Sequence, residues 1–464
     1  MTESTNLDWH QSDGLNKSEQ HLAKLCSETF LRLWHYPNLY TDKGVTKHDH
    51  QGKELCDLLV VFDNHILIFS DKNCDINDTE DAAKDWCRWY RKAIKKSADQ
   101  VFGAERWIKK YPDRIFMDKQ CQVPFPLNIP PIEECVIHRI VVASGAKNRA
   151  EKYFGGGSSG SLMQLSWLNG DEHLNPATEN WYPFAVGQVA PEKGFVHVFD
   201  EANIDILLSE LDTITDFVEY LVAKEGLFKS LPMVSAGSEE DLLGFYLLNG
   251  GSFEEGYDRK GFGHVHIPEG EWLAYYNSDV RRHWQAKISA SAYFDSLLDI
   301  VSEHIVTGTL LQENDRGIAY HERNIRLLAA EPRHHRVMLT EAFLKKIETT
   351  PANVRSGFMF PSSNPAVLYV YLCFPLDNYT REIYRQERQA CLTAYCHVAK
   401  HLNSHADYIV GIATESSRDS GLRSEDIISF DMRAWTEEDD ANAKIIMDEY
   451  KIFTHHAANS IFTS

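Results

Sequence analysis

Apolar residues recur along this chain in two rhythms, one helical and one of short continuous runs. In "NKSEQHLAKLCSETFLRLW", residues 16–34, Leu22, Leu25, Phe30 and Leu33 stand at helical spacing behind Ser18, a candidate N-cap, and predict an amphipathic helix. Residues 55–62 and 66–70 are rich in Leu, Ile, Val and Phe and are joined by the polar turn Asp63-Asn64-His65. Apolar on both faces, they predict a pair of central strands covered by helices on each side. The proline-free stretch 79–111 predicts one long helix, or two broken near Gly103. A strand over 136–144 continues the β/α alternation, and a strand over 194–200 and a helix over 204–224 follow. Between them, residues 145–194 predict an irregular insertion around "FGGGSSGS".

The second half predicts helices near 281–306 and 336–348, a hairpin over 356–375 and a long helix over 381–403. Strands in "YIVGIATES" and "DIISFDMRAW" and a terminal helix near 436–450 complete it, without an internal repeat. With 464 residues, the chain exceeds the roughly 100–200 usual for one domain. The expectation is an α/β domain over 1–225, with the insertion at 145–194, and an α+β domain over 226–464.

Composition narrows the function classes. No segment reaches the roughly 18 uncharged apolar residues of a membrane helix, and the polar N-terminus lacks a signal-peptide core, so a cytoplasmic protein with no membrane partner is expected. Nine scattered cysteines without C-x-x-C spacing suggest buried thiols rather than a disulfide framework or structural zinc. The net charge of −21 argues against a protein that coats nucleic acid non-specifically. From Lys84 to Lys119, however, eleven Lys or Arg stand against five Asp or Glu, a local surplus of positive charge. Lys84, Arg88, Lys92 and Lys96 recur every fourth residue and predict one basic helix face, either solvated or meeting a phosphate backbone. Trp86, Trp89, Tyr90 and Trp107 are placed either in the core or as base-stacking platforms.

Several local motifs lack the context their chemistry needs. Gly155, Gly157 and Gly160 satisfy G-x-G-x-x-G, but "AKNRAEKY" before them is no strand and no Walker lysine follows. The G-x-S-x-G around Ser158 lies in the same Gly/Ser run without a strand-turn-helix setting. His48 and His50 are candidate metal ligands in a polar loop. Arg316, Arg323, Arg326, Arg333, His334, His335 and Arg336 are placed on a surface helix pair, with phosphate binding as the alternative.

The hairpin carries the most specific signal. Asp57 precedes one apolar strand, and Ser70-Asp71-Lys72 ends the next, with Ser70 thirteen and Lys72 fifteen positions after Asp57. This spacing, together with the order of helix, hairpin, long helix and strands, resembles the PD-(D/E)XK nuclease superfamily over residues 15–225. The resemblance implies a restriction-endonuclease-like fold with a central mixed sheet flanked by helices. It also implies Mg²⁺ (or Mn²⁺) held by Asp57 and the backbone carbonyl of residue 71, and Lys72 as the catalytic lysine. Ser70 departs from the usual acidic residue. Asp71 adjoins it but points to the opposite face unless a bulge re-aims it. Candidate replacements are Glu54 beside Asp57, Glu19, which resembles the N-terminal helix Glu that often joins such sites, and Glu80, Asp81 or Asp85 from the following helix. Gln100 resembles the helix Gln found beside the site in nuclease-related families.

The implied activity is metal-dependent hydrolysis of nucleic acid, DNA favoured, with an architecture that fits bacterial antiviral or restriction-type defence. The rivals are an inactive nucleic-acid-binding or sensor module, and a subunit that needs a homo-oligomer or a partner defence protein.

Overall fold

The computed structural model describes residues 12–45, 51–155, 157–254, 263–309, 317–376, 380–416 and 424–454. His48, His50 and Arg316 lie outside the described residues. The fold is mixed α/β, with three mixed sheets flanked by helices. Two compact units divide the chain, residues up to 286 with 301–319, and 287–300 with 320 onward.

The first unit opens with α1 (Lys17–Trp34), β1 (His35–Thr41), β2 (Lys53–Phe62) and β3 (His65–Asn73). A long helix follows as α2 (Ala82–Tyr90), a single π turn at Arg91–Lys95 and α3 (Lys96–Lys110). Then come β4 (Ile115–Phe116), β5 (Val136–Ser144), α4 (Lys147–Phe154), β6 (Met163–Asn169), β7 (Ala185–Gln188) and β8 (His197–Phe199). The main sheet has the order β4-β1-β2-β3-β5-β8, antiparallel through β3 and parallel from β3 to β8. The predicted hairpin is therefore central, which is why it is apolar on both faces. On one side α1 seals it, with Phe30 against Phe69 at 6.4 Å. On the other, buried Trp86, Tyr90, Ile94, Ala98 and Phe102 recur at helical spacing and pack with Val141 and Ala143 of β5.

The helix is continuous through Gly103, with Asp81 capping its start by accepting the Lys84 N–H at 3.0 Å. Arg139 of β5 grips Glu105 of α3 through two bonds of 2.6 Å and fixes the helix over the sheet. The sequence pattern missed β1, because Pro37 sits inside it. Proline is tolerated there because the outer neighbour β4 pairs only with Tyr40 and Thr41.

The expected irregular insertion is in fact structured. Its β6 and β7 join β9 (Met233–Ala236) and β10 (His264–Ile267) in a second sheet of order β10-β9-β6-β7. Residues after 225 thus complete a sheet begun in the insertion, and 225 itself lies inside a helix. The expected helix over 204–224 is two, α5 (Ile204–Glu210) and α6 (Ile214–Ser230), broken where Thr213 caps α6 by accepting the Asp216 N–H. The helices α7 (Glu239–Leu248) and α8 (Glu271–Tyr276) flank the second sheet's segments in the chain.

The predicted helix 281–306 is likewise two, α9 (Asp279–Ala290) and α10 (Ala292–Val306). The second unit continues with α11 (Ile318–Ala329), α12 (Arg333–Thr349), β11 (Ser356–Pro361), β12 (Val367–Phe374), α13 (Arg381–Leu402), β13 (Tyr408–Glu415), β14 (Asp426–Asp431) and α14 (Glu437–Tyr450). Its sheet has the order β11-β12-β13-β14, with β12 and β13 parallel and joined through α13. The pair α11–α12 is not a surface pair throughout, since Arg333, His335 and Arg336 are buried. Asp295 accepts from Arg333 and Arg336, and the carbonyls of Ala329 and Glu331 accept from Arg336, so these cations are committed to structure.

Removing Arg139 takes two bonds from Glu105 and leaves it Lys109 at 2.6 Å. Arg139→Leu is expected to lower stability by about 1.5–3 kcal/mol, measured by urea unfolding, and thereby loosen α3 over the hairpin.

Candidate active site

At the open end of the hairpin the ladder stops short of Asp57. The ladder's last paired residues are Leu58 and Phe69, yet the Asp71 N–H still donates to the Asp57 carboxylate at 2.6 Å. On the other edge of β2 the register slips, because Leu39 pairs with Cys56 but Tyr40 with Glu54, which leaves Leu55 unmatched. A one-residue slip reverses which face a side chain meets, and it brings Glu54 to the cavity that Asp57 also lines. A register slip occurs on β2, beside Glu54, and not at Asp71.

Asn38 sits opposite this slip at φ +51°, a left-handed conformation that Asn tolerates better than most residues. Its amide donates to Glu19 at 3.0 Å and to Glu54 at 3.2 Å, and its oxygen accepts from Ser12 at 2.8 Å. Asn38 thus ties the N-terminal turn of α1 to β2. The sequence reading passed over it, although Asn directly after Pro in "HYPNLY" is a turn-forming signal.

A cavity of about 230 Å³ opens beside these groups, lined by Glu54, Asp57, Ser70, Gln100, Trp107 and Lys53 among others. Gln100, Gly103, Ala104 and Trp107 face it from α3 at helical spacing. The Ser70 hydroxyl donates to Gln100 Oε1 at 3.2 Å. Lys72 does not line the cavity; its charge acts on Asp71 and, together with Lys92, on the Cys74 thiol.

The electrostatics are those of crowded carboxylates. Burial raises Asp57 from 3.8 to about 7, assisted by repulsion from Glu54 and Glu19, while the Asp71 N–H and the Ser70 hydroxyl oppose the rise. Glu54 is raised by burial and by Glu19, against the Asn38 bond and Lys119. Asp71 lies toward α1 and is raised by burial and by Glu19. Neither of its buried oxygens has a partner in hydrogen-bonding geometry, and the nearby Ser18 only partly offsets the cost. Glu19 therefore acts on all three groups.

The other candidates are placed elsewhere. Asp81 caps α2, Asp85 accepts from the Thr79 N–H and hydroxyl at 2.7 and 2.8 Å, and Glu80 is exposed; none lines the cavity. Trp86, Trp89 and Tyr90 are core residues and not base-stacking platforms, whereas Trp107 is half-buried. Lys84, Arg88, Lys92 and Lys96 are exposed and form no ion pair among the described residues.

Mg²⁺ takes oxygen ligands and keeps several waters, so one or two carboxylates and a carbonyl suffice. Asp57 and Glu54 line the cavity and are oxygen donors of that chemistry, whereas Glu19 does not line it and accepts from the Leu15 N–H, Asn16 and Asn38. Among the described residues no group of three or more His, Cys, Asp or Glu side chains is placed to hold a metal ion. No family model matches the chain, and neither the curated proteins nor the solved structures contain a significant match.

Because Asp57 holds its proton more tightly folded than unfolded, its contribution to stability is present below pH 4 and lost as pH rises through about 7. Asp57→Asn is therefore expected to raise stability at pH 8 by on the order of 1–3 kcal/mol and to change it little at pH 4, by urea unfolding at both pH values.

Proposed function

We propose that the chain is a metal-dependent nuclease of PD-(D/E)XK type, with its site at the open end of the β2–β3 hairpin. One observation carries the reading: Asp57, crowded by Glu54 and Glu19, lines a cavity whose α3 wall continues a row of unpaired cations. Supporting it, α1, the antiparallel β2–β3 hairpin, the long helix and the parallel β5 follow one another in the order from which the resemblance was drawn, with β1 added before the hairpin. Asp57 and Glu54, with Glu19 behind them, would hold Mg²⁺ or Mn²⁺. A divalent cation there supplies charge neutralisation at a phosphate oxygen and an acidified water.

The chain's own residues supply position. The Asp71 N–H fixes one Asp57 oxygen, Asn38 holds Glu19 and Glu54 near each other, and Gln100 holds the Ser70 hydroxyl. Glu54 takes the part that Ser70 cannot, because a neutral hydroxyl neither balances a cation's charge nor accepts a proton at neutral pH. Lys72 stands at the strand end, where turning its flexible side chain toward Asp57 would let it orient the attacking water.

Lys72 outside the cavity wall and Ser70 already bonded to Gln100 favour a second reading, a nuclease fold that binds nucleic acid without cleaving it. A Mn²⁺-dependent degradation assay on DNA and RNA separates the two. Wild type is expected to cleave, and Asp57→Ala and Lys72→Ala each to lower the rate at least about 100-fold, the lower range for a single catalytic group. Unchanged rates in both variants would remove this site. A wild type that binds but never cleaves would establish the second reading.

A further inference from the structure

The face that leads to the cavity is straight and cationic, and its dimensions bear on strandedness. Lys84, Arg88, Lys92 and Lys96 project from one helix, and the next step of four reaches Gln100 in the cavity wall. In a pure α-helix a step of four residues overshoots a full turn by about 40°, so four such residues would drift around the axis. The wider π turn at Arg91–Lys95 falls in the middle of the row and turns it back, keeping the cations aligned with the cavity. Lys72 and Lys92 both lower the Cys74 thiol against its burial. Lys95, by contrast, is committed to Asp171 at 2.5 Å.

From Lys84 to Lys96 the row spans about 18 Å at 1.5 Å per residue. Along a duplex with a turn of about 34–36 Å, that length covers half a turn, over which either strand winds to the opposite side of its partner. A straight row laid along the duplex loses its strand there, whereas an extended single strand stays with it. The cavity at the row's end has one half-buried aromatic wall in Trp107, with the Arg114 guanidinium over its ring at 5.4 Å. A cationic track that ends on a stacking aromatic is how single strands are held without sequence reading.

Resting on the nuclease reading, we propose that the substrate is single-stranded nucleic acid. Its phosphates run along Lys84, Arg88, Lys92 and Lys96, and one base stacks on Trp107 beside Asp57.

The test measures binding in EDTA, where cleavage cannot contribute, by fluorescence anisotropy of the full chain with a labelled 12-nucleotide single strand and its duplex. The single strand is expected to bind at least about ten-fold tighter, with a log-log salt slope of about −3 for four phosphates. The quadruple variant Lys84→Gln/Arg88→Gln/Lys92→Gln/Lys96→Gln, on exposed positions that do not carry the fold, is expected to flatten that slope. Trp107→Leu is expected to weaken single-strand binding about ten-fold while leaving the slope unchanged.

Equal or tighter duplex binding overturns the assignment, as does an unchanged slope in the quadruple variant. The parallel cleavage assay with Asp57→Ala keeps the two claims apart. Duplex preference with Asp57-dependent cleavage refutes the strandedness alone, and single-strand binding without any cleavage refutes only the nuclease reading.

Discussion

The first unit is organised around negative charge held where the central hairpin opens. Asp57 is kept in place by the Asp71 N–H, and Glu54 and Glu19 are drawn toward it by a single amide, that of Asn38. Like charges so placed and partly removed from water oppose folding, which is why burial and repulsion drive Asp57 to about 7. The surroundings over-determine the arrangement. The apolar hairpin is sealed by α1 on one side and by α2–α3 on the other, and the Arg139–Glu105 pair pins the helix. A fold that spends stability in one place, beside an oxygen-lined cavity, is what the proposed cation site would require.

Much of this was legible in the residues. Two apolar runs around Asp63-Asn64-His65 predict central strands, whereas Trp86, Trp89 and Tyr90 read as either core or stacking residues, and the structure buries them. Alternation along β3 correctly set Asp71 on the face opposite Ser70. What the sequence hid depends on register and on long-range pairing. The slip that turns Glu54 toward Asp57 is set by where β1 meets β2, and β1 itself was masked by Pro37. The segment 145–194 looked irregular because β6 and β7 are short and are completed by β9, far along the chain. Trp86, Trp89 and Tyr90 show the converse, since composition alone does not separate a core aromatic from a stacking one.

The basic helix resolves a tension in the composition. A chain with a net charge of −21 repels polyanions at a distance, so any contact with them must be local. Lys84, Arg88, Lys92 and Lys96 form no ion pair among the described residues and lead toward the cavity, while Arg333 and Arg336 of α12 are consumed by Asp295 and backbone carbonyls. Exposure and pairing, rather than the number of Arg and Lys, separate a binding face from a structural one.

The claim on which the rest depends is that the crowded carboxylates hold a cation. Isothermal titration of the full chain with Mn²⁺ at pH 8 tests it directly. The account predicts one Mn²⁺ per chain, weakened as pH falls through about 7 and lost in Asp57→Asn; no binding, or binding unchanged in that variant, would contradict it.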